Sequence, residues 1–253
     1  MRDQASVHTV VKALRMLAAF EGEGSELGVR EFASLLDVHR STASRLARTL
    51  TAHGFLERAA AGGFRLGPEA ARIGLLAVGG RSLLSAARGP MDALSATTRE
   101  AVVLSVPAGE EALDVAQAGS AHLIGATTWI GRRTPLHASS DGKVFLAFGA
   151  AELRPSASLE PLTARTVTDL SELERQLAQA RLDGWTSAVG ELEEGLNGVA
   201  APVFASRGEC VGALSVSGPA YRLPPERLPE VAELCIAATR AVAADLNVAE
   251  NAA

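Results

Sequence analysis

The sequence predicts an α+β chain in two domains: a winged helix-turn-helix, then a linker helix, then a mixed α/β domain. Three observations carry this. Residues 29–66 read as two short helices across a tight turn followed by a small β-ribbon. Gly67-Pro68 ends that ribbon and opens a further helix, because proline suits a first helical position. Beyond residue 100, strand-like apolar runs are interleaved with helical periodicity. The expected boundaries are 1–67 for the helix-turn-helix domain, 68–80 for the linker helix and 81–253 for the second domain.

The elements follow in order. A first helix is expected from about Val7 to Phe20, with Val7, Val10, Val11, Leu14, Leu17 and Ala18 as an apolar stripe. Glu21 to Gly28 is a glycine-rich acidic break, and Val29 opens the helix-turn-helix. In its second helix Ala43, Leu46, Ala47 and Leu50 recur at i, i+3, i+4 and i+7, which marks the buried face. The opposite face carries Ser41, Arg45 and Arg48, flanked by Thr42 and Ser44, with Arg40 at the helix start. Short hydroxyls in a first turn and arginines further along suit a helix in a DNA major groove, where they meet base edges and phosphates. His39 stands at the expected N-cap, where Ser, Thr, Asp or Asn is preferred; a weak cap, a phosphate contact and neither all stay open.

The ribbon runs out through Phe55 to Arg58, turns at Ala60 to Gly63 and returns through Phe64 to Leu66. Gly62-Gly63 is expected to supply positive φ angles for the turn. Arg58 and Arg65 then sit where a wing meets the sugar-phosphate backbone, positioning without reading sequence.

The linker helix is expected from Pro68 to about Val78, and a longer helix from Ser82 to Thr98 after Gly79-Gly80. Residues 101–106 and 112–119 read as strands, and Ser139 to Gly149 as a helix. Another helix starts at Asp169, with Glu172 completing a capping box. Strands are expected at 185–189, 199–206 and 210–217. A terminal helix from Pro225 to about Asn247 presents Val231, Leu234, Cys235, Ala238 and Val242 on its apolar face.

Composition bounds the function. The net charge is −5, but residues 1–66 hold nine Lys/Arg against seven Asp/Glu, while the remainder holds fifteen against twenty-two. The segment suited to DNA is thus the less acidic one, and its modest excess implies that a second copy supplies part of any affinity. Cys210 and Cys235 form no CxxC motif or disulfide framework, which fits a reducing cytoplasm, and no secretory or transmembrane run is legible. None of the five histidines (His8, His39, His53, His122, His137) lies in a nucleophile or metal pattern, and HExxH, GxSxG and P-loop motifs are lacking. His122, His137 and Cys210 have metal-binding chemistry, but their spacing carries no signal. No catalytic residue, metal or cofactor is expected.

Three further blocks, RTPLHASSDGKVFLAF (133–148), GELEEGLNGVAAPV (190–203) and GALSVSGP (212–219), together with the N-terminal pattern, resemble the IclR family of bacterial transcription regulators over residues 6 to 245. The resemblance implies a GAF-like effector domain behind the linker helix. It also implies a homodimer or dimer of dimers on a roughly palindromic operator, with a small-molecule effector altering DNA binding. Repression is the expected mode because it needs only promoter occupancy.

Carried over residue by residue, the resemblance implies a pocket lined by Leu136, Ser140, Asp141, Gly142, the 190–198 loop with Glu191, Leu196 and Gly198, and Ser215 and Ser217. Ser215 and Ser217 are two apart on a strand and so share a face. Trp129 is positioned to stack on a ligand, although an aromatic in a strand also reads as core. The bland reading of Ser139, Ser140 and Asp141 is a helix cap. Two departures from the family pattern stand out. Gly198 replaces a common cysteine, which should enlarge the pocket, and Ala188-Val189 replace paired aspartates. Asp141 adds a carboxylate at a helix start, where it would repel a carboxylate ligand. A neutral, hydroxylated or cationic effector is therefore expected. The competing reading is a second domain that only assembles the protein, its pocket vestigial; an enzyme is a remote third.

Overall fold

Helix α1 (His8–Ala18) and the helix pair α2 (Val29–Leu35) and α3 (Arg40–Ala52) enclose the core of an N-terminal unit, Met1–Gly80. The computed structural model describes residues 7–20, 25–59, 62–77, 81–119, 128–154 and 158–251. Residues 21–24 of the acidic break, Ala60 of the wing tip, Gly79-Gly80 and His122 lie outside them.

The core of this unit is Met16, Phe32, Leu36, Ala43, Ala47, Leu56 and Phe64, with Leu17, Phe20, Leu46 and Leu50 packed against it. Ala43 and Ala47 have no bulk, so α3 approaches α2 closely and the two aromatic pairs Phe20–Phe32 and Phe32–Phe64 close over it, with ring centroids 5.9 and 6.0 Å apart. The stripe expected on α1 is only partly used. Val7, Val10 and Leu14 are exposed, and Met16, which the stripe omitted, is buried. The helix meets this core along Met16 and Leu17, so the Val10–Leu14 side faces away from it.

The α2–α3 turn passes through Asp37 at positive φ (49°). His39 then caps α3: its ring accepts from the Ser41 N–H at 3.3 Å and lies 2.8 Å from the Ser41 hydroxyl. Strands β1 (Leu56–Arg58) and β2 (Phe64–Leu66) pair antiparallel with Leu56 opposite Leu66. Of the two wing glycines only Gly62 takes a positive φ, 91°. Helix α4 (Pro68–Ala77) follows, with Pro68 as its first residue.

The second unit, Arg81–Ala253, is a six-stranded antiparallel sheet with helices on both faces. Helix α5 (Arg81–Thr98) leads into β3 (Ala101–Pro107), β4 (Glu111–Ala118) and a short β5 (Arg133–Pro135). Then come α6 (Ser140–Ala147), α7 (Leu170–Asp183), β6 (Thr186–Val189), β7 (Leu196–Phe204) and β8 (Cys210–Pro219). A single 3₁₀ turn, Pro225–Arg227, precedes the terminal α8 (Leu228–Asn251). The strand order is β5-β4-β3-β8-β7-β6. Helices α5 and α8 pack together on one face, α6 packs on the other, and α7 packs on α6.

Local chemistry explains these choices, with two differences from the sequence expectation. At α7 the Asp169 carboxylate accepts from the Glu172 N–H at 2.8 Å, but the Glu172 carboxylate turns to Arg175 and Gln176 instead of closing a capping box. Strand β7 begins three residues before the expected 199, because Asn197-Gly198, a turn signal in sequence, lies inside a central strand.

Candidate DNA-contact face and ligand cavity

On α3 the side chains of Arg40, Ser41, Arg45 and Arg48 are exposed, and Thr42 and Ser44 are half-buried. Ser41, Arg45 and Arg48 lie at i, i+4 and i+7, along one side of the helix. Neither Arg45 nor Arg48 is in an ion pair among the described residues. The wing arginines differ. Arg58 lies 4.3 Å over the Phe64 ring and donates to the Gly62 carbonyl at 3.3 Å, while Arg65 is paired with Glu57 at 2.6 Å. Arg65, already paired with Glu57, presents less free charge to a phosphate than Arg45 or Arg48, whereas Arg58 has no acid beside it among the described residues.

In the second unit the register builds a cavity under the start of α6. Ala188, Gly198 and Ser217 face one another across β6, β7 and β8, and Val103 pairs with Ser215 across β3 and β8. The remaining wall comes from Asp114, Trp129, Thr134, Ser139, Ser140, Asp141, Leu192 and Leu196. It is a narrow cavity of about 30 Å³ inside a cleft of about 400 Å³. Ser139, not Ser140 or Asp141, caps α6, its hydroxyl accepting from the Gly142 N–H at 3.1 Å.

Seven of the ten pocket residues expected from sequence therefore line one cavity: Trp129, Ser140, Asp141, Leu196, Gly198, Ser215 and Ser217. Leu136, Gly142 and Glu191 do not. Leu136 is fully buried in an apolar cluster with Val144, Phe145 and Ala213. Gly142 serves packing, since a Cβ there would stand 2.5 Å from the Leu136 Cα. Glu191 is consumed by Lys143. The Lys143 ammonium, 1% exposed, donates to both Glu191 oxygens at 2.8 and 2.7 Å, to Gln176 at 2.9 Å and to the Ser187 carbonyl at 3.2 Å. Burial holds this ammonium below the usual lysine range, and the Glu191 charge draws it partly back.

Gly198 does not enlarge the cavity either. A Cβ at this position would lie 2.9 Å from the Ser140 hydroxyl and 3.2 Å from that of Ser217, so the serines already occupy the space that glycine vacates. Trp129 is in a loop, not a strand. Its backbone N–H donates to the Gln117 side-chain oxygen at 2.7 Å, and the Arg132 guanidinium stacks 4.7 Å from its ring.

Sequence reasoning missed Asp114. It is 3% exposed on β4, accepts from the Ser105 hydroxyl at 2.7 Å and lines the same cavity as Asp141. Burial, then the charge of Asp141, pushes its carboxyl up to about 8, against weaker pulls downward from Ser105 and Arg132. A polar residue within the apolar alternation ALDVAQAG was its one visible signal. Among the described residues, no group of three His, Cys, Asp or Glu side chains could hold a metal, and no helix is long and apolar enough to cross a membrane.

A winged helix with a free basic face, followed by a cavity-bearing sheet domain, defines a DNA-binding protein with a sensor-type domain. Comparison with known proteins makes this specific. Residues 76–244 match the bacterial transcriptional regulator IclR C-terminal domain, and residues 9–60 the IclR helix-turn-helix domain. The chain belongs to the IclR family of transcriptional regulators. It is 29% identical to the HTH-type transcriptional repressor AllR of Klebsiella pneumoniae, over 98% of this chain and 93% of that one. It is 32% identical to the glycerol operon regulatory protein of Streptomyces griseus, over 88% and 89%. An IclR homologue from Microbacterium hydrocarbonoxydans, solved in complex with 4-hydroxybenzoate, superposes with a TM-score of 0.77 at 27% identity, covering 94% of this chain and 98% of that one.

Proposed function

We propose that this regulator is a cytoplasmic repressor of a metabolic operon, that it binds a roughly palindromic operator as a homodimer or dimer of dimers, and that a small effector in the second domain releases it. The observation that carries the effector reading is the cavity itself. Its buried Ser140 and Ser215 hydroxyls, each 4% exposed, have no protein partner among the described residues. Buried polar groups without partners are costly, and a ligand or water that satisfies them recovers that cost. The IclR homologue solved in complex with 4-hydroxybenzoate supports a small-molecule ligand for a chain of this fold. Here the two acids favour a neutral, hydroxylated or cationic molecule. Arg45 and Arg48 supply base or phosphate contacts, and Ser41 and Thr42 set the first turn. No catalysis is proposed, in keeping with relatives that are regulators.

Two experiments test this. Selection of bound sequences from a random DNA pool should enrich an inverted repeat with half-sites about one helical turn, ~34 Å, apart; failure to enrich any site would remove the operator reading. A thermal-shift screen against sugars, hydroxy acids, amines and aromatic acids should give hits that also change DNA binding. A ligand at one hundred times its Kd stabilises the native state by about 2.7 kcal/mol. A blank screen with DNA binding intact would favour a second domain that serves assembly alone.

A further inference from the structure

We propose that the effector is an organic cation, a small hydroxylated amine, whose ammonium is received by the buried carboxyls of Asp114 and Asp141. This rests on the reading of the cavity as the effector pocket. The two carboxyls come from different elements, Asp114 from β4 and Asp141 from the first turn of α6, and both are more than nine-tenths buried. Beside them the Ser140 and Ser215 hydroxyls line the same cavity without protein partners among the described residues. Acceptors thus converge from three sides on one small space.

The charged groups facing Asp114 are few. Arg132, in the loop before β5, acts on it from a distance while stacked on Trp129, and Asp141 faces it from α6. Strand β3 contributes only the Ser105 hydroxyl and Val103, β5 contributes Thr134, and β6, β7 and β8 contribute Ala188, Gly198, Leu196 and the serines. Lys143 cannot serve as counter-charge, because it is spent on Glu191. A carboxylate ligand would meet Asp141 where a helix start otherwise welcomes an anion. A Ca²⁺ or Mg²⁺ ion would need six or more oxygen ligands, whereas Val103, Leu192 and Leu196 give the cavity an apolar side suited to carbon.

Burial and the Asp141 charge push the Asp114 carboxyl up to about 8, so Asp114 keeps its proton at neutral pH, and an ammonium beside it would displace that proton. A cation that replaces the proton must therefore bind about tenfold more tightly for each pH unit from roughly 6 to 8, and level off above that. The test uses the full chain and three probes of nearly equal size: ethanolamine, ethylene glycol and glycolate. Calorimetry at pH 7 in two buffers of different ionisation enthalpy counts the protons released. Ethanolamine should bind with release of close to one proton and with the stated slope. In Asp114→Asn, which mimics the protonated carboxyl and so spares the fold, its affinity should fall about ten- to hundredfold, the worth of one charge-assisted hydrogen bond, and lose the slope. Ethylene glycol binding as tightly as ethanolamine, or glycolate binding more tightly as the pH falls, would overturn the cation while leaving the pocket reading intact. Amine binding that is indifferent to pH would overturn the exchange. A thermal shift with Ca²⁺ or Mg²⁺ and none with amines would also overturn the proposal. If all three probes and the broad metabolite screen are silent, the pocket reading fails with it.

Discussion

Replacing Asp114 by asparagine should change how stability depends on pH, and the sign is fixed by the site. In the native protein the Asp114 carboxyl is pushed up to about 8 by burial and by Asp141. In the unfolded chain an aspartate titrates near ~3.9. Between roughly pH 4 and 8 the folded state therefore holds a proton that the unfolded state has released. Stability then falls as pH rises, by at most about 1.4 kcal/mol per pH unit, and is level above about 8. For a unit of this size that corresponds to roughly 3–6 °C in melting temperature per pH unit. Asparagine cannot ionise and keeps nearly the shape of the protonated carboxyl. Asp114→Asn should be close to the native protein at pH 5 and clearly more stable at pH 8. Both tryptophans, Trp129 and Trp185, lie in the second unit, so intrinsic fluorescence during urea unfolding reports on that unit. Taking the difference between native protein and variant cancels the titration of all other groups. A difference that stays constant from pH 5 to 8.5 would refute the protonated-pair reasoning.

Three other substitutions probe the remaining claims. Glu191→Ala leaves the Lys143 ammonium buried without its counter-charge and should cost about 3–5 kcal/mol in urea unfolding, whereas Lys143→Met combined with Glu191→Leu should recover most of it. Gly198→Cys brings a Cβ to 2.9 Å from the Ser140 hydroxyl; it should cost about 1–3 kcal/mol as overpacking, and Ser140→Gly in the same chain should relieve it, as unfolding midpoints would show. Arg45→Ala should weaken binding to a selected operator by about 1–3 kcal/mol if its guanidinium reads a base, as measured by fluorescence anisotropy. An equal loss on random DNA would assign Arg45 to phosphate.

The helix-turn-helix was legible because local rules govern it. The i, i+3, i+4, i+7 spacing of Ala43, Leu46, Ala47 and Leu50 marks one face whatever the rest of the chain does, and Pro68 marks a helix start by its fixed φ alone. What was not legible depends on partners distant in sequence. Glu191 sits in an acidic run that reads as solvated, and only the fold brings Lys143, forty-eight residues earlier, onto it. Gly198 reads as a missing side chain, yet its role depends on Ser140 approaching from α6. Val7, Val10 and Leu14 have the right period but not the right neighbour, since periodicity says that a face is apolar and not what covers it. The role of Asp114 was hidden for the same reason: its place within ALDVAQAG marks a polar residue in a strand, but nothing near it in sequence announces Asp141.

Helix α6 joins these cases into one argument. Asp141 and Lys143 are two residues apart, about 200° around the helix, and therefore point to opposite sides of it. Both are more than nine-tenths buried. Lys143 meets a carboxylate, an amide oxygen and a backbone carbonyl, so its charge is compensated on its own side. Asp141 meets another acid. A fold that had to bury both side chains for stability alone would have no reason to satisfy one completely and give the other a like-charged neighbour, since burying an uncompensated charge costs several kcal/mol. The proton that Asp114 keeps removes that cost in the free protein, and the proposed organic cation would remove it instead. The asymmetry across this one helix separates the cavity side, where two acids line one small space, from the Lys143 side, where the chain supplies the counter-charge itself.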